Sequence, residues 1–194
     1  MSRVFLLSPA RIGGARSNLL FRPEANFDLA IRLRQGQATV GEVYAFISNL
    51  YFRGKLAYVN AFGDALVIVP GRGLLPPTTV LSHSEFLATG GIPVEEDNDA
   101  FQQPLLRDAA LLNERAGPAC QYVLLGSVAT SKYTASLLKI FGERLLFPSE
   151  FLGRGDMSRG GLMLRCVTSN SELAYQPVQG AGRRAVRPPK LGPP

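Results

Sequence analysis

The run VFLLSP, residues 4–9, decides the fold: an unbroken apolar stretch, with no polar alternation, closed by Ser8 and Pro9. A strand with water on one side alternates; one buried on both faces, as in a parallel sheet between helices, does not. The pattern recurs in ALVIVP (65–70), QYVLLGSVAT (121–130) and ERLLFPSEF (143–151), each apolar run opening into a glycine- or proline-bearing loop. Helical periodicity fills the intervals. A short helix is expected between Glu24 and Arg34, and a long one follows the Thr39/Glu42 capping-box pair, with Val43, Phe46, Ile47, Leu50 and Tyr51 on one stripe and Gly54 as a kink or close-packing point. Further helices are expected at Ser84–Ala88, Phe101–Ala116 (stopped by Gly117 and Pro118), 131–142 and Leu162–Cys166, with a weak last strand at LAYQPV. Strand, loop and helix in this order predict an α/β fold, a three-layer α/β/α arrangement with a four-stranded, mostly parallel sheet.

Length and composition fit that fold in one domain. The chain has 194 residues, 46% of them hydrophobic, enough for one sizeable core over residues 1–180. Residues 181–194, rich in Pro and Gly, carry four cations and no acid and read as a disordered basic tail, which leaves only +2 of the net charge of +6 for the body. No apolar run is long enough to span a membrane, and the N-terminus lacks a secretory pattern, so the chain reads as soluble and cytoplasmic, with no membrane partner. Cys120 and Cys166 lack metal-ligand spacing and read as free thiols. With His83 the single histidine, neither a metal site nor a Ser-His-Asp apparatus is expected, and no cofactor fingerprint is present.

In open α/β sheets ligands bind beyond the carboxyl ends of the strands. Four loops should meet there: SPARIGG (8–14), PGRGLLPP (70–77), GSVATSK (126–132) and PSEFLGRGDMSRGG (148–161). They bring Ser8, Arg11, Gly13, Gly14, Arg72, Gly126, Ser127, Lys132, Arg154, Ser158, Arg159 and Gly160 together, an anion site by composition: glycine-exposed amides, hydroxyl donors and guanidinium forks. Asp156 and Glu150 are the carboxylates placed for acid/base work. A packing explanation stands beside each: tight turns for the glycines, a helix cap for Ser127, and an Asp156 ion pair holding the GRGDMSRGG turn. The triphosphatase loop, the dinucleotide fingerprint after a strand and G-x-S-x-G are all absent.

The second half resembles the uracil-DNA glycosylase superfamily. LLGSVAT, with Leu125, Gly126 and Ala129, is similar to the family's Leu-Gly-x-x-Ala strand end, and FPSEFLGRG supplies Pro148 and Ser149 of its His-Pro-Ser motif, with Phe147 in the histidine's place. SPARIGG lacks the acidic or amide residue that the family uses to direct water. The resemblance implies the same α/β fold and a base stacked on an aromatic ring, for which Phe21, Phe147 and Phe151 are candidates. Sequence and resemblance together lead to the expectation of a nucleotide- or nucleic-acid-directed protein, a hydrolase of a phosphate ester or N-glycosidic bond. The alternatives are a non-catalytic module binding nucleic acid or a phosphorylated ligand, and a structural protein whose arginines are spent in ion pairs.

Overall fold

The computed structural model describes residues 2–181, so the basic tail lies, from position 182 onward, outside the described residues. The expected strands form: β1 (Arg3–Leu7), β2 (Asp64–Val69), β4 (Gln121–Leu125) and β5 (Leu145–Pro148). They are joined by β3 (Gly73–Leu75) and β6 (Tyr175–Pro177) in a sheet of order β3-β2-β1-β4-β5-β6. The sheet therefore has six strands and not the expected four. The inner four run parallel, and the two added strands are antiparallel edges.

Both edges are too short to carry a period of their own. Gly-Leu-Leu, between a glycine turn and Pro76-Pro77, reads as loop, yet it pairs back on β2 and gives the Leu74 N–H to the Asp108 carboxylate at 2.9 Å. The weak LAYQPV strand is anchored by Tyr58, whose hydroxyl accepts the Leu173 N–H (2.8 Å) and meets the Tyr175 hydroxyl at 2.5 Å. Tertiary partners, rather than local propensity, make these strands.

The helices are α1 (Ala15–Phe21), α2 (Asp28–Arg34), α3 (Val40–Ser48), α4 (Leu50–Phe62), α5 (His83–Gly90), α6 (Asp99–Ala116), α7 (Ser131–Phe141) and α8 (Asp156–Thr168). Side chains of β1 alternate between two cores. Phe5 and Leu7 join a cluster built with α1–α5 and α8, while Leu6 joins one built with α6 and α7. Helices thus cover both faces of the sheet. No described helix is long and apolar enough to cross a membrane.

Two sequence expectations change in detail. The long helix after Thr39 is two helices: the capping box forms as expected (Thr39 N to Glu42 Oε2, 2.9 Å), but Asn49 adopts φ 50 and turns the chain between α3 and α4. GRGDMSRGG, expected as a loop ahead of a helix at Leu162, itself contains the first turns of α8. Its surplus glycine has a packing cause. A Cβ at Gly160 would stand 2.6 Å from the Leu50 carbonyl oxygen, and one at Gly54 2.7 Å from the Gly160 oxygen, so α4 and α8 cross backbone to backbone. That crossing brings α4 against the base of the site.

Candidate functional site at the strand-order reversal

The chain runs from β1 outward to β2 and β3, then returns to lay β4 on the other side of β1. Open α/β sheets form their binding crevice at such a reversal. Leu7 and Leu125 are register partners at the ends of β1 and β4, so Ser8 and Gly126 emerge side by side. The contact is close: a Cβ on Gly126 would lie 3.0 Å from the Ser8 Cβ and 3.1 Å from its Oγ. Glycine at 126 makes room for the Ser8 side chain.

A cavity of about 710 Å3 opens beyond these ends. Its walls come from the loop after β1 (Ser8 to Ile12), from Tyr44, Ile47, Ser48 and Tyr51 on α3 and α4, from Pro70 and the end of α5 through Glu95, and from Ser127, Lys132, Tyr133 and Asp156. Of the expected site residues it thus gathers Ser8, Arg11, Ser127, Lys132 and Asp156, with Gly126 packed behind Ser8.

The others serve elsewhere. Gly14 caps α1, and the Gly13 N–H donates to Ser17 Oγ at 2.8 Å. Arg72 pairs with Glu85 at 2.9 Å, outside the cavity. Arg154 donates to the Glu150 carbonyl (3.0 Å) and to Ser158 Oγ (3.3 Å). Arg159, 12% exposed, donates from Nε and Nη2 to the Phe151 carbonyl (3.2 and 3.1 Å) and stands 3.5 Å from Asp156. The Glu150 carboxylate accepts from Ser149 at 2.9 Å, and Gly160 belongs to the helix crossing. The arginines of the FLGRGDMSRGG segment hold the turn and the start of α8. Phe147 and Phe151 are core residues, and Phe21 packs on His83, whose Nε2 lies 3.4 Å from the Phe21 carbonyl oxygen. Aromatic walls come instead from Tyr44, Tyr51 and Tyr133.

Beneath the cavity lies a residue that the sequence reading passed over. Lys55, on α4, is 1% exposed, and its ammonium donates to Ser8 Oγ at 2.7 Å and to the Ser8 carbonyl at 2.9 Å, over the Tyr51 ring at 4.0 Å. Among the described residues no carboxylate forms an ion pair with it. Burial without a counter-ion drives its pKa from the usual lysine value down to about 7, with Asp156 opposing the shift and Arg159 adding to it. Its one sequence signal is a place on an apolar stripe, four residues after Tyr51 and ahead of Tyr58 and Val59.

Two further groups are left wanting. Among the described residues the Tyr44 and Tyr51 hydroxyls are buried and make no hydrogen bond, although the large majority of buried side-chain polar atoms in folded proteins do. Burial raises both pKa values, that of Tyr51 to about 12, against the pull of Arg159, so each hydroxyl stays protonated and able to donate. At the rim, Arg11 is exposed and has no ion pair or hydrogen bond among the described residues, and the Lys132 ammonium lies only by the Tyr133 ring at 5.1 Å. Lys132 is placed by its own backbone, whose carbonyl accepts from Gln102 at 3.0 Å, and Gln102 in turn accepts from Ser136 at 2.5 Å. No group of three or more His, Cys, Asp or Glu among the described residues could hold a metal ion.

Comparison of the chain with protein-family models, curated proteins and solved structures gives no match.

Proposed function

We propose that the cavity at the β1/β4 ends binds a nucleotide, free or as an unstacked unit of a nucleic acid. The observation that carries this reading is a pair of buried hydroxyls with no hydrogen-bond partner among the described residues, on Tyr44 and Tyr51, two residues that line a cavity also holding the uncommitted cations Arg11 and Lys132. A ligand that suits both has a flat polar ring to take hydrogen bonds from the tyrosines and an anionic arm for the guanidinium and ammonium. The volume is within the range of small-molecule sites and admits one nucleotide. The resemblance of LLGSVAT and FPSEF to the uracil-DNA glycosylase superfamily supports the same ligand class. If the bound molecule is hydrolysed at a phosphate ester or N-glycosidic bond, Asp156 is the expected carboxylate on the cavity wall, and Glu150 is not.

Thermal shift and calorimetry with mononucleotides and short single-stranded oligonucleotides test the reading. Binding should weaken about tenfold in Arg11→Ala and in Lys132→Ala, and should fall with added salt. No shift with any nucleotide or oligonucleotide at millimolar concentration would end it.

A further inference from the structure

The cavity holds a second kind of chemistry, independent of what its rim recognises. We propose that Ser8 is a nucleophile, Lys55 its general base and Tyr51 its oxyanion donor, and that the chain transfers acyl groups from carboxylic esters to water.

The pair is built for this and for little else. Ser8 lines the cavity, and Lys55, which does not, is hydrogen-bonded to its hydroxyl. A neutral lysine amine has two hydrogens and one lone pair. With one N–H given to the Ser8 carbonyl at 2.9 Å and Nζ standing 4.0 Å from the centre of the Tyr51 ring, the neutral amine has its lone pair available to Ser8 Oγ at 2.7 Å. Among the described residues, the only other hydrogen-bond partner of Oγ is the Leu125 carbonyl at 3.4 Å, a weak acceptor contact at that length. A lysine needed only to tie α4 to β1 has no reason to be so poorly neutralised. The ionisable groups bearing on it are Asp156 and Arg159 from α8, of opposite sign, and the burial that dominates keeps the amine basic and largely unprotonated just above neutrality. Tyr51 completes the set: it lines the same cavity as Ser8, and its hydroxyl has no hydrogen-bond partner among the described residues.

In the forward step Lys55 takes the Ser8 proton as Oγ attacks the acyl carbon, and the charge on the carbonyl oxygen is met by Tyr51. The C–O bond to the alcohol breaks, the alkoxide leaves with the proton from Lys55, and an acyl-Ser8 remains. Water then gives its proton to Lys55 and attacks the acyl carbon; Ser8 leaves with that proton restored. The balance is ester plus water to acid plus alcohol, with no oxidant or other co-reactant. Among the described residues the one cation in hydrogen-bond contact with Oγ is Lys55, and it is consumed as the base, which suits an uncharged acyl carbon as the electrophile.

The test is a fluorophosphonate probe on the full chain, read by intact mass and peptide mapping, with p-nitrophenyl butyrate as the turnover substrate. The expected result is one adduct, at Ser8, formed at a rate that climbs with pH through about 7, with ester turnover following the same profile. Ser8→Ala should abolish both, Lys55→Met should slow both at least a hundredfold with an unchanged circular dichroism spectrum, and Tyr51→Phe should cost about tenfold or more. No adduct on Ser8, wild-type labelling in Lys55→Met, or butyrate turnover that survives Ser8→Ala overturns the proposal. If Lys55→Met does not fold, the wild-type profile decides, and a labelling rate flat from pH 6 to 8.5 overturns it. The probe needs no nucleotide contact, so loss of nucleotide binding and absence of labelling are separate failures.

Discussion

Two charged regions of this molecule invert what their sequences suggest. FLGRGDMSRGG crowds arginine, aspartate and glycine into eleven positions and looks like a ligand loop, yet Arg159 is tied to the Phe151 carbonyl, Arg154 to Glu150 and Ser158, and Gly160 to the α4/α8 crossing. YFRGKLAY looks like an ordinary helix with two solvated cations, and one of them, Lys55, is sealed under a cavity against Ser8. The difference lies in satisfaction. Around the start of α8, Arg154 and Arg159 have acceptors and Asp156 has a cation beside it, whereas at the cavity Lys55 has no counter-ion and the Tyr44 and Tyr51 hydroxyls have no acceptor among the described residues. Folding alone rewards the first arrangement; the second is sustained at a cost in stability, and unsatisfied buried groups are where a binding or catalytic role is sought. Residue type announces charge, but only partners tell whether the charge is already spent.

The sharpest way to break this contrast is at the helix crossing. Gly160→Val puts a side chain into the Leu50 backbone, where no rotamer change relieves the clash, and should cost about 3 kcal/mol or more of stability. Denaturant unfolding measures it, and a neutral result would return Gly160 to the list of ligand-contacting residues. Next in size is the pH dependence conferred by Lys55. Its folded pKa lies below its unfolded one, so between about pH 7 and the ordinary lysine value the unfolded chain binds more protons and stability rises with pH, by at most about 1.4 kcal/mol per unit. Below pH 7 both states are protonated and the slope from this group vanishes. Unfolding curves at pH 7 and 9 should therefore show a gain in wild type that Lys55→Met lacks; equal slopes would mean that Lys55 is not held neutral.

A paired comparison of arginines comes third. Arg159→Ala should lose about 1.5–3 kcal/mol, the worth of charged hydrogen bonds to a carbonyl, while Arg11→Ala leaves the melting temperature unmoved and weakens ligand binding. The reverse outcome, a stable Arg159→Ala that no longer binds, would restore the arginine-rich segment as the anion site.

How far the sequence could be read follows from the same physics. The four inner strands were legible because burial on both faces writes itself as an unbroken apolar run, and the edge of the sheet that carries the site followed from the strand–loop order. Of the antiparallel edges, β6 was foreseen as the weak LAYQPV strand, whereas β3 was hidden, since three residues between a glycine turn and a proline have no period and acquire strand form only from β2. In the site, Ser8, Arg11, Ser127, Lys132 and Asp156 were reachable as the content of loops that had to converge. Lys55, Tyr44 and Tyr51 were not, because they sit on α3 and α4, and the Asn49 break that angles those helices separately onto the sheet occurs at a residue with φ 50 inside an otherwise continuous helical pattern. A lysine on an apolar stripe was the available signal, and it becomes informative only once the stripe is known to face the ends of the strands.

The smallest expected effect tests the idea of unsatisfied groups most directly, because it has the unusual sign. Tyr44→Phe and Tyr51→Phe each delete a buried hydroxyl that has no hydrogen-bond partner among the described residues, so the unliganded protein should lose nothing and gain up to about 1 kcal/mol, the desolvation of that oxygen. Ligand binding should move the other way, since the atom removed is the one the ligand satisfies. Chemical denaturation with and without nucleotide separates the two terms. A variant that is destabilised when free would show that the hydroxyl already has a partner in the folded chain, and the contrast between the cavity and the α8 segment would then rest on Lys55 alone.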